Sequence, residues 1–264
     1  MKKTDNLKHF VFMILFLLLN PLWIMAQDVT AIVQRSRDRI QAETTSTRSR
    51  MVITARSGST SERVIDQYSK DDANGNSRTV IVFQSPSSVA GTRFLTIENA
   101  ARANDQWIFL PSAGRVRRIA AAEGSGSFIG TDFSYDDIAS VNRRTDLDNH
   151  RLVREETLNG RACYVIESVP KDSSYQYSRM IIWIDKENFV NHRAELYDRR
   201  GNQVKLLEIL ELRDFQGRLT PVQTRMTTIA AGTSTTLISE IVRYDDNIPE
   251  IVFTTEFLET GRTR

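Results

Sequence analysis

Short segments rich in Val, Ile, Thr, Phe and Tyr recur about every 10 to 15 residues along most of the chain, with turn residues between them. Parallel strands would need helical crossovers, and no long helical pattern separates these segments, so the pattern predicts a meandering antiparallel sheet and a mainly β fold. Asn74-Gly75 and Arg200-Gly201-Asn202 are typical of hairpin turns. The predicted strands are Arg48–Arg56, Glu62–Ser69, Arg78–Phe83, Thr92–Glu98, Gln106–Leu110, Val116–Ala120, Leu152–Thr157, Cys163–Val169, Tyr177–Asp185, His192–Asp198, Gln203–Arg213, Val222–Ile229 and Thr235–Tyr244.

Several of these strands are apolar on both faces instead of alternating strictly. The stretch Met180–Ile184 is apolar at every position, and Val204–Leu212 places Leu207 and Ile209 opposite other aliphatic residues. A long sheet that is apolar on both sides must be covered on both sides. Either a second layer packs on it, or the sheet curls around its own interior and leaves room for a ligand. The sequence leaves both arrangements open.

One helix precedes the strands. Asp28 or Thr30 can cap its N-terminus, and the apolar stripe that follows predicts a helix running to about Glu43. The stripe is narrow, so this helix must lie on something larger.

The segment from Pro111 to Ser140 is the one long irregular stretch. It contains Gly124-Ser125-Gly126-Ser127 and then a short helical turn from Tyr135 to Ala139 capped by Ser134. Loops of this length in compact domains are commonly functional lids, whereas the alternative is a crossover whose side chains plug the core. The apolar residues that predict a lid docking on the sheet or on a ligand are Phe128, Ile129, Phe133 and Tyr135.

The N-terminus has the three-part layout of a secretory signal peptide. A basic region with Lys2, Lys3 and Lys8 precedes the apolar run 10–19, and Ala26 is a small residue before the expected cut. The alternative, a membrane anchor, fits less well because spanning a bilayer takes about 20 apolar residues. We therefore expect residues 1–26 to be removed and residues 27–264 to form a single exported, soluble domain.

Charge and composition exclude several classes of function. The expected signal peptide holds three of the 35 Lys and Arg residues and one of the 33 Asp and Glu residues, so the mature chain is neutral. A neutral chain offers no electrostatic basis for binding nucleic acid. The only cysteine, Cys163, lies in an apolar stretch and is expected to be a buried hydrophobe, so no internal disulfide is expected.

No pattern of catalytic or cofactor-binding residues emerges. His150 and His192 stand alone, without other ligands at metal spacing. The spacing of Asp132, Asp136 and Asp137 is not that of an EF-hand loop, and capping of the short helix explains the last two. The glycines of the irregular segment are one residue off the dinucleotide fingerprint and lack its strand–helix context. We expect no metal, no cofactor and no enzymatic activity.

Four segments of the sequence resemble a known protein family. The block Trp107–Ile138 looks like the outer-membrane lipoprotein-sorting proteins of the LolA-like superfamily. The supporting segments are Phe83–Pro86, Gly91–Leu95 and Phe253–Leu258. The resemblance implies a half-open antiparallel β-barrel, with the N-terminal helix, a lid loop and short helices over an apolar cavity. It also implies a monomeric periplasmic carrier of the acyl chains of lipids or lipoproteins toward the outer membrane, with a resistance-nodulation-division transporter as partner.

The carrier interpretation nominates further residues. The cavity candidates are Trp107, Phe109, Trp183 and Met226, for which ordinary core packing is the alternative. Three basic residues lie beside the irregular segment: Arg115, Arg117 and Arg118. They could bind a lipid headgroup or form ion pairs that hold the lid at Asp132 or Asp136. The alternative is that they form a solvated strand face. A periplasmic module of the same fold that senses lipids or binds a protein partner is the alternative function.

Overall fold

A computed structural model describes residues 28–99, 102–141 and 143–263, so the predicted signal peptide lies outside the described residues. Within these ranges the chain forms one antiparallel sheet of 13 strands. They are β1 (Thr44–Thr54), β2 (Thr60–Asp71), β3 (Ser77–Ser85), β4 (Arg93–Ile97), β5 (Asp105–Leu110), β6 (Arg115–Arg118), β7 (Asp148–Leu158), β8 (Arg161–Pro170), β9 (Arg179–Asp185), β10 (Asn191–Tyr197), β11 (Gln203–Phe215), β12 (Arg218–Thr228) and β13 (Thr233–Tyr244). Each predicted strand overlaps one of them, which confirms the mainly β, antiparallel fold.

The order of the strands places the middle of the chain at the two edges of the sheet. The order is β6-β5-β4-β3-β2-β1-β13-β12-β11-β10-β9-β8-β7, so the first and last strands pair with each other in the centre. The edge strands β6 and β7 do not pair, and the sheet is not closed into a barrel. Residues 119–147, which we call the crossover segment, connect these two edges.

Two adjacent carboxylates show that the sheet is curled. Asp136 accepts a hydrogen bond from Gln106 on β5 at 3.0 Å, and Asp137 pairs with Lys205 on β11 at 2.6 Å. These strands are seven places apart in the sheet, which in a flat sheet would separate them by roughly 34 Å. Neighbouring residues can reach both only if the sheet bends around the crossover segment.

Helix α1 (Val29–Arg37) begins where predicted and ends earlier. The Asp28 side chain caps it by accepting from the amide of Ala31 at 3.2 Å. The prediction that it runs to Glu43 is wrong, because the chain turns at Asp38 to enter β1. The helix packs Ile32 on the inner face of β7–β9, defined as the face that carries Ile182 and the side chains beneath the crossover segment.

The opposite, outer face is covered near β3–β6 by the C-terminal residues. These form a 3₁₀ turn (Glu250–Phe253) and helix α3 (Thr255–Thr260), and they pack on Val80 and Leu95. Further 3₁₀ turns span Ala121–Glu123 and Thr145–Leu147. Helix α2 (Tyr135–Ala139) is the predicted short turn, with Ser134 as its cap. Across the described part of the chain, every helix falls short of the length and apolarity that crossing a membrane requires.

Candidate functional site

The tip of the crossover segment, residues 128–133, is a tight loop whose backbone geometry directs two aromatic rings toward the sheet. The amide of Phe128 donates to the carbonyl of Phe133 at 2.8 Å, and Ser127 forms a bridge with Ser134. Ile129 and Gly130 have φ angles of 48° and 71°, a left-handed turn that favours glycine at the second position. This local geometry places the tip over the inner face.

Phe128 is the centre of an aromatic cluster that joins the tip to the sheet. Its side chain has no exposed surface, and its ring centroid lies 5.7 Å from that of Phe83, 5.2 Å from Phe94 and 5.4 Å from Tyr135. The ring pairs with Phe94 and Tyr135 are edge-to-face, the arrangement that aromatic quadrupoles favour. The same core cluster contains Ile129, Phe133, Met226 and inner-face residues of most strands.

Asp132 fastens the tip to the hairpin of β12 and β13. Its carboxylate is buried and accepts hydrogen bonds from the hydroxyls of Thr228 at 2.6 Å, Thr235 at 2.7 Å and Thr233. Its own amide donates to the Thr235 hydroxyl at 2.9 Å. A buried carboxylate is costly unless such donors surround it, so this contact fixes the position of the tip.

Asp137, the third residue of helix α2, makes the second polar anchor. It forms a capping box with Ser134 and accepts hydrogen bonds from Tyr177 at 2.7 Å, Gln176 at 3.0 Å and Lys205 at 2.6 Å. Burial of Tyr177, followed by the nearby charge of Asp137, raises the pKa of the tyrosine well above its ordinary value. The phenol therefore stays a donor, and the Lys205–Asp137 ion pair is largely shielded from water.

Asp136 makes a third anchor, to strand β5, which lies in the other half of the curled sheet from β11. Its carboxylate accepts from Gln106 and lies so close to Gly124 that a Cβ at residue 124 would overlap it. Burial raises the pKa of Asp136, and the hydrogen bond from Gln106 opposes that shift. The glycine at residue 124 thus makes room for a charged side chain that the protein holds at some cost.

Arg63 on β2 reaches the tip from below. Its guanidinium donates to the carbonyl oxygen of Ile129 and lies 6.0 Å from the ring centroid of Phe83. Burial lowers the pKa of Arg63. Among the ion pairs of the described residues, none includes Arg63, so this cation is held by a carbonyl and an aromatic ring.

The predicted cavity residues divide between the two faces. Met226 lies beneath the tip, in the same cluster as Phe128 and Phe133. Trp107 and Phe109 lie on the outer face, against the C-terminal segment. Trp183 is also on the outer face, packed with Cys163 and Val165, and its indole N–H donates to Glu156. The structure therefore brings Met226 to the four lid candidates and places the other three residues elsewhere.

The predicted basic residues contact other acids than those expected. Arg117 binds Glu123 at 3.0 Å, at the start of the crossover segment, while Arg118 shares Asp105 with Arg102. Arg115 is exposed. Asp132 and Asp136, proposed from the sequence as their partners, are held by threonines and by Gln106 instead. Of the three basic residues, Arg117 is thus the one that contacts the crossover segment.

Sequence reasoning missed most residues that hold the segment in place. Lys205 carried a usable signal, because a lone lysine between Val204 and Leu206 in an apolar strand indicates a buried acidic partner. The three threonines carried none, since threonine is common in strands. Buried inner-face residues that pack on the segment were also missed; they include Met51, Ile65, Ile81, Phe94 and Ile108.

The inner face beneath the segment is filled by the protein's own side chains. Phe128, Phe94 and Met51 are each at most 1% exposed, so a ligand can occupy this face only if the segment moves. The structure holds no group of three or more His, Cys, Asp or Glu residues at metal-binding distance, as far as its described residues go.

Comparison with known proteins identifies relatives of this arrangement. A family model described as an uncharacterized protein matches residues 75–260. A DUF1329 family protein from Desulfovibrio piger is 28% identical, with a TM-score of 0.83 over 87% of this chain and 97% of its own. A domain from Vibrio parahaemolyticus named for outer-membrane lipoprotein sorting is 26% identical, with a TM-score of 0.83 over 89% and 99%.

A LolA superfamily protein from Nitrosomonas europaea shares the fold, with a TM-score of 0.71 and 21% identity over 87% of this chain and 98% of its own. Among curated proteins, none matches this sequence.

Proposed function

We propose that this chain, which belongs to the family whose model matches residues 75–260 and which is similar to an outer-membrane lipoprotein-sorting domain, binds the acyl chains of lipids or lipoproteins on the inner face of its sheet. The observation that carries the proposal is the position of Phe128. This fully buried ring sits on a segment that bridges two unpaired sheet edges, over the inner face of a curled sheet. The tip of the segment can be exchanged for an acyl chain without opening the sheet itself.

The energetics of exchange favour this mechanism. Each methylene of an acyl chain costs about 0.8 kcal/mol when it is exposed to water, so a long chain cannot cross an aqueous compartment without cover. When the tip lifts, the apolar surface that Phe128 and Phe133 leave is covered again by the acyl chain. The net cost of opening then falls on the polar anchors at Asp132, Asp137 and Arg63. A typical hydrogen bond contributes about 1 kcal/mol net, so these anchors set how readily the segment opens.

The compartment and partners follow from the proposal. A signal peptide at residues 1–26 would export the chain to the periplasm, where a monomeric carrier would move its cargo toward the outer membrane. A resistance-nodulation-division transporter in the inner membrane would be the partner that supplies or receives the cargo. The protein acts by binding alone, without a cofactor.

A second candidate is a periplasmic module of the same fold that senses lipids or binds a protein partner. The filled inner face favours the partner-binding form of this module, because that form needs no room for a ligand, whereas a lipid sensor would need a cavity as the carrier does. Strand β7 is an edge strand of 11 residues, and edge strands can accept an added strand from a partner. The partner-binding form predicts a complex with another protein and no bound lipid.

The deciding experiment is native mass spectrometry with lipid extraction on the mature protein purified from the periplasm, followed by titration with a fluorescent fatty-acyl probe. A bound phospholipid, glycolipid or acylated peptide would support the carrier and identify its cargo class. Protein that is free of lipid and also fails to take up the probe would contradict the carrier and favour the partner-binding module.

A pair of variants tests the site itself. Aspartate at both Phe128 and Phe133 removes the apolar cover, and in variant protein whose circular dichroism spectrum is native we expect binding of the acyl probe to be lost. The matched control places aspartate at Val153 and Ile241, two half-exposed positions on the sheet surface, and should bind the probe normally. Unchanged binding by the Phe128→Asp/Phe133→Asp variant, with a native circular dichroism spectrum, would place the acyl site elsewhere.

A further inference from the structure

The two ends of the sheet differ in charge. The six hairpin connections at the end where the tip of the crossover segment lies carry four basic and two acidic residues. We call this the basic end; its connections are residues 55–59, 86–92, 111–114, 171–178, 198–202 and 229–232. The connections at the opposite end carry three basic and eight acidic residues; they are residues 38–43, 72–76, 98–104, 159–160, 186–190, 216–217 and 245–254. The connections at the two ends of the strands thus carry net charges of opposite sign.

We propose that the basic end docks on the surface of a bilayer that contains anionic phospholipids. Arg56, Arg199 and Arg200 are exposed at hairpin tips on this end, and none of them takes part in an ion pair among the described residues. The two carboxylates on the same connections, Asp172 and Asp198, accept hydrogen bonds from backbone amides of their own turns. Arg199 donates one hydrogen bond to a nearby backbone carbonyl. The remaining guanidinium donors are available for phosphate groups, which guanidinium binds in a bidentate manner.

An exposed aliphatic side chain lies beside one of these arginines. Ile229, at the tip of the hairpin between β12 and β13, is 45% exposed and is followed by Ala230 and Ala231. On the same tip, a Cβ placed on Gly232 would be 3.4 Å from Cγ of Arg56. An aliphatic side chain surrounded by arginine is the combination that lies at a bilayer surface, with the apolar part among the headgroups. An acidic protein partner would use the charge but would have no comparable use for the isoleucine.

The docking surface is continuous with the tip of the crossover segment. Thr228 and Thr233, which flank the Ile229 hairpin, bind the carboxylate of Asp132. A bilayer against this hairpin would therefore touch the segment that must lift for an acyl chain to enter or leave. The docking surface itself does not depend on the acyl-carrier proposal, because it is defined by charge and exposure at the sheet end.

The test is flotation of the mature protein with vesicles of phosphatidylglycerol and phosphatidylethanolamine, compared with vesicles of phosphatidylcholine alone. We expect binding to the anionic vesicles that falls steeply with added salt. Each arginine near an anionic surface contributes roughly fivefold in affinity, so the triple variant Arg56→Gln/Arg199→Gln/Arg200→Gln should bind on the order of a hundredfold more weakly. At high salt, where the attraction of charges is screened, the single variant Ile229→Ser should bind the anionic vesicles more weakly than the natural protein does.

A control of equal charge removes three exposed arginines at the opposite end, Arg102→Gln/Arg213→Gln/Arg243→Gln, and should bind the vesicles like the natural protein. Equal loss in both triple variants would mean non-specific attraction and would overturn the proposal. Equal binding to phosphatidylcholine, or no binding to either vesicle, would overturn it as well. Uptake of the soluble acyl probe by the first triple variant, measured without vesicles, should be unchanged, which separates a failure of docking from a failure of the carrier.

Discussion

Asp132 and Thr235 are joined by two hydrogen bonds through a single hydroxyl, which accepts from the Asp132 amide at 2.9 Å and donates to its carboxylate at 2.7 Å. The residues are separated by 103 positions in the sequence, and the contact links the tip of the crossover segment to the centre of the sheet. Since the same carboxylate also binds Thr228 and Thr233, the whole anchor depends on one side chain.

The first prediction concerns that side chain. Replacing Asp132 by alanine leaves the buried Thr235 hydroxyl and the half-buried Thr228 and Thr233 hydroxyls without their acceptor, which should destabilise the closed segment by about 2–4 kcal/mol. The milder change Asp132→Asn retains one acceptor oxygen and should destabilise the segment less. Hydrogen exchange of the amides of residues 127–137 measures the effect. Asp146→Asn, which changes an exposed carboxylate, is the control, and equal protection in Asp132→Ala and the natural protein would contradict the role of this anchor.

The second prediction concerns the close contact between Gly124 and Asp136. Gly124 has right-handed helical backbone angles, which alanine adopts without strain. The strain of Gly124→Ala therefore comes only from the contact of its Cβ with the Asp136 carboxylate. Gly124→Ala should destabilise the protein by about 1–3 kcal/mol, as overpacking of a filled site does. Urea denaturation gives the value. In the double variant Gly124→Ala/Asp136→Ala the overlap is absent, so the two effects should be clearly less than additive. Full additivity would show that the two residues do not press on each other.

The sequence predicts the local features of this fold better than the contacts between distant residues. The strands and their antiparallel order are local properties, set by periodicity and turn residues, and they were predicted from the sequence. The sequence does not predict which face of each strand points inward. In β3, Val80 and Val82 are apolar on one face and Ile81 and Phe83 are apolar on the other, so the alternation of residues does not distinguish the two faces. Trp107 and Phe109, cavity candidates from the sequence, lie on the outer face beneath the C-terminal layer, where core packing was the stated alternative.

The candidate site shows the same limit. Phe128 and Phe133 were recognised because large apolar residues on a glycine-rich segment must pack against something. Lys205 and Asp137 form an ion pair although they are 68 positions apart in the sequence. The curl of the sheet brings them together, so no local sequence pattern predicts this pair.

The third prediction is a dependence on pH. Burial raises the pKa of Asp136 in the folded protein above its unfolded value, so the folded state disfavours the charged carboxylate. The sign follows from linkage: the folded state loses stability as the pH rises from the unfolded pKa through the raised folded pKa. Asp136→Asn should therefore stabilise the protein at neutral pH, and its amide could also donate to the unpaired Oε1 atom of Gln106.

The measurement is urea denaturation of Asp136→Asn and of the natural protein at several pH values from acidic to neutral. The advantage of the variant should shrink as the pH falls and the natural carboxylate becomes protonated. Asp146→Asn, at an exposed position on the same segment, serves as the control for a general charge effect. A constant difference at all pH values would mean that the carboxylate of Asp136 is not the group that titrates.

The last prediction tests whether the segment must move for a ligand to bind. Cysteines at Asp132 and Thr235 would face each other where the two hydrogen bonds now lie, and their disulfide would fix the tip of the segment to β13. In the oxidised variant we expect binding of the fatty-acyl probe to fall at least tenfold. Reduction should restore binding to the natural level or above it, because the reduced variant lacks the Asp132 anchor. The single variants Asp132→Cys and Thr235→Cys, carried through the same oxidation, exclude an effect of the buried Cys163. If the oxidised protein bound the probe as well as the reduced protein, the acyl site would have to lie away from the surface that Phe128 covers.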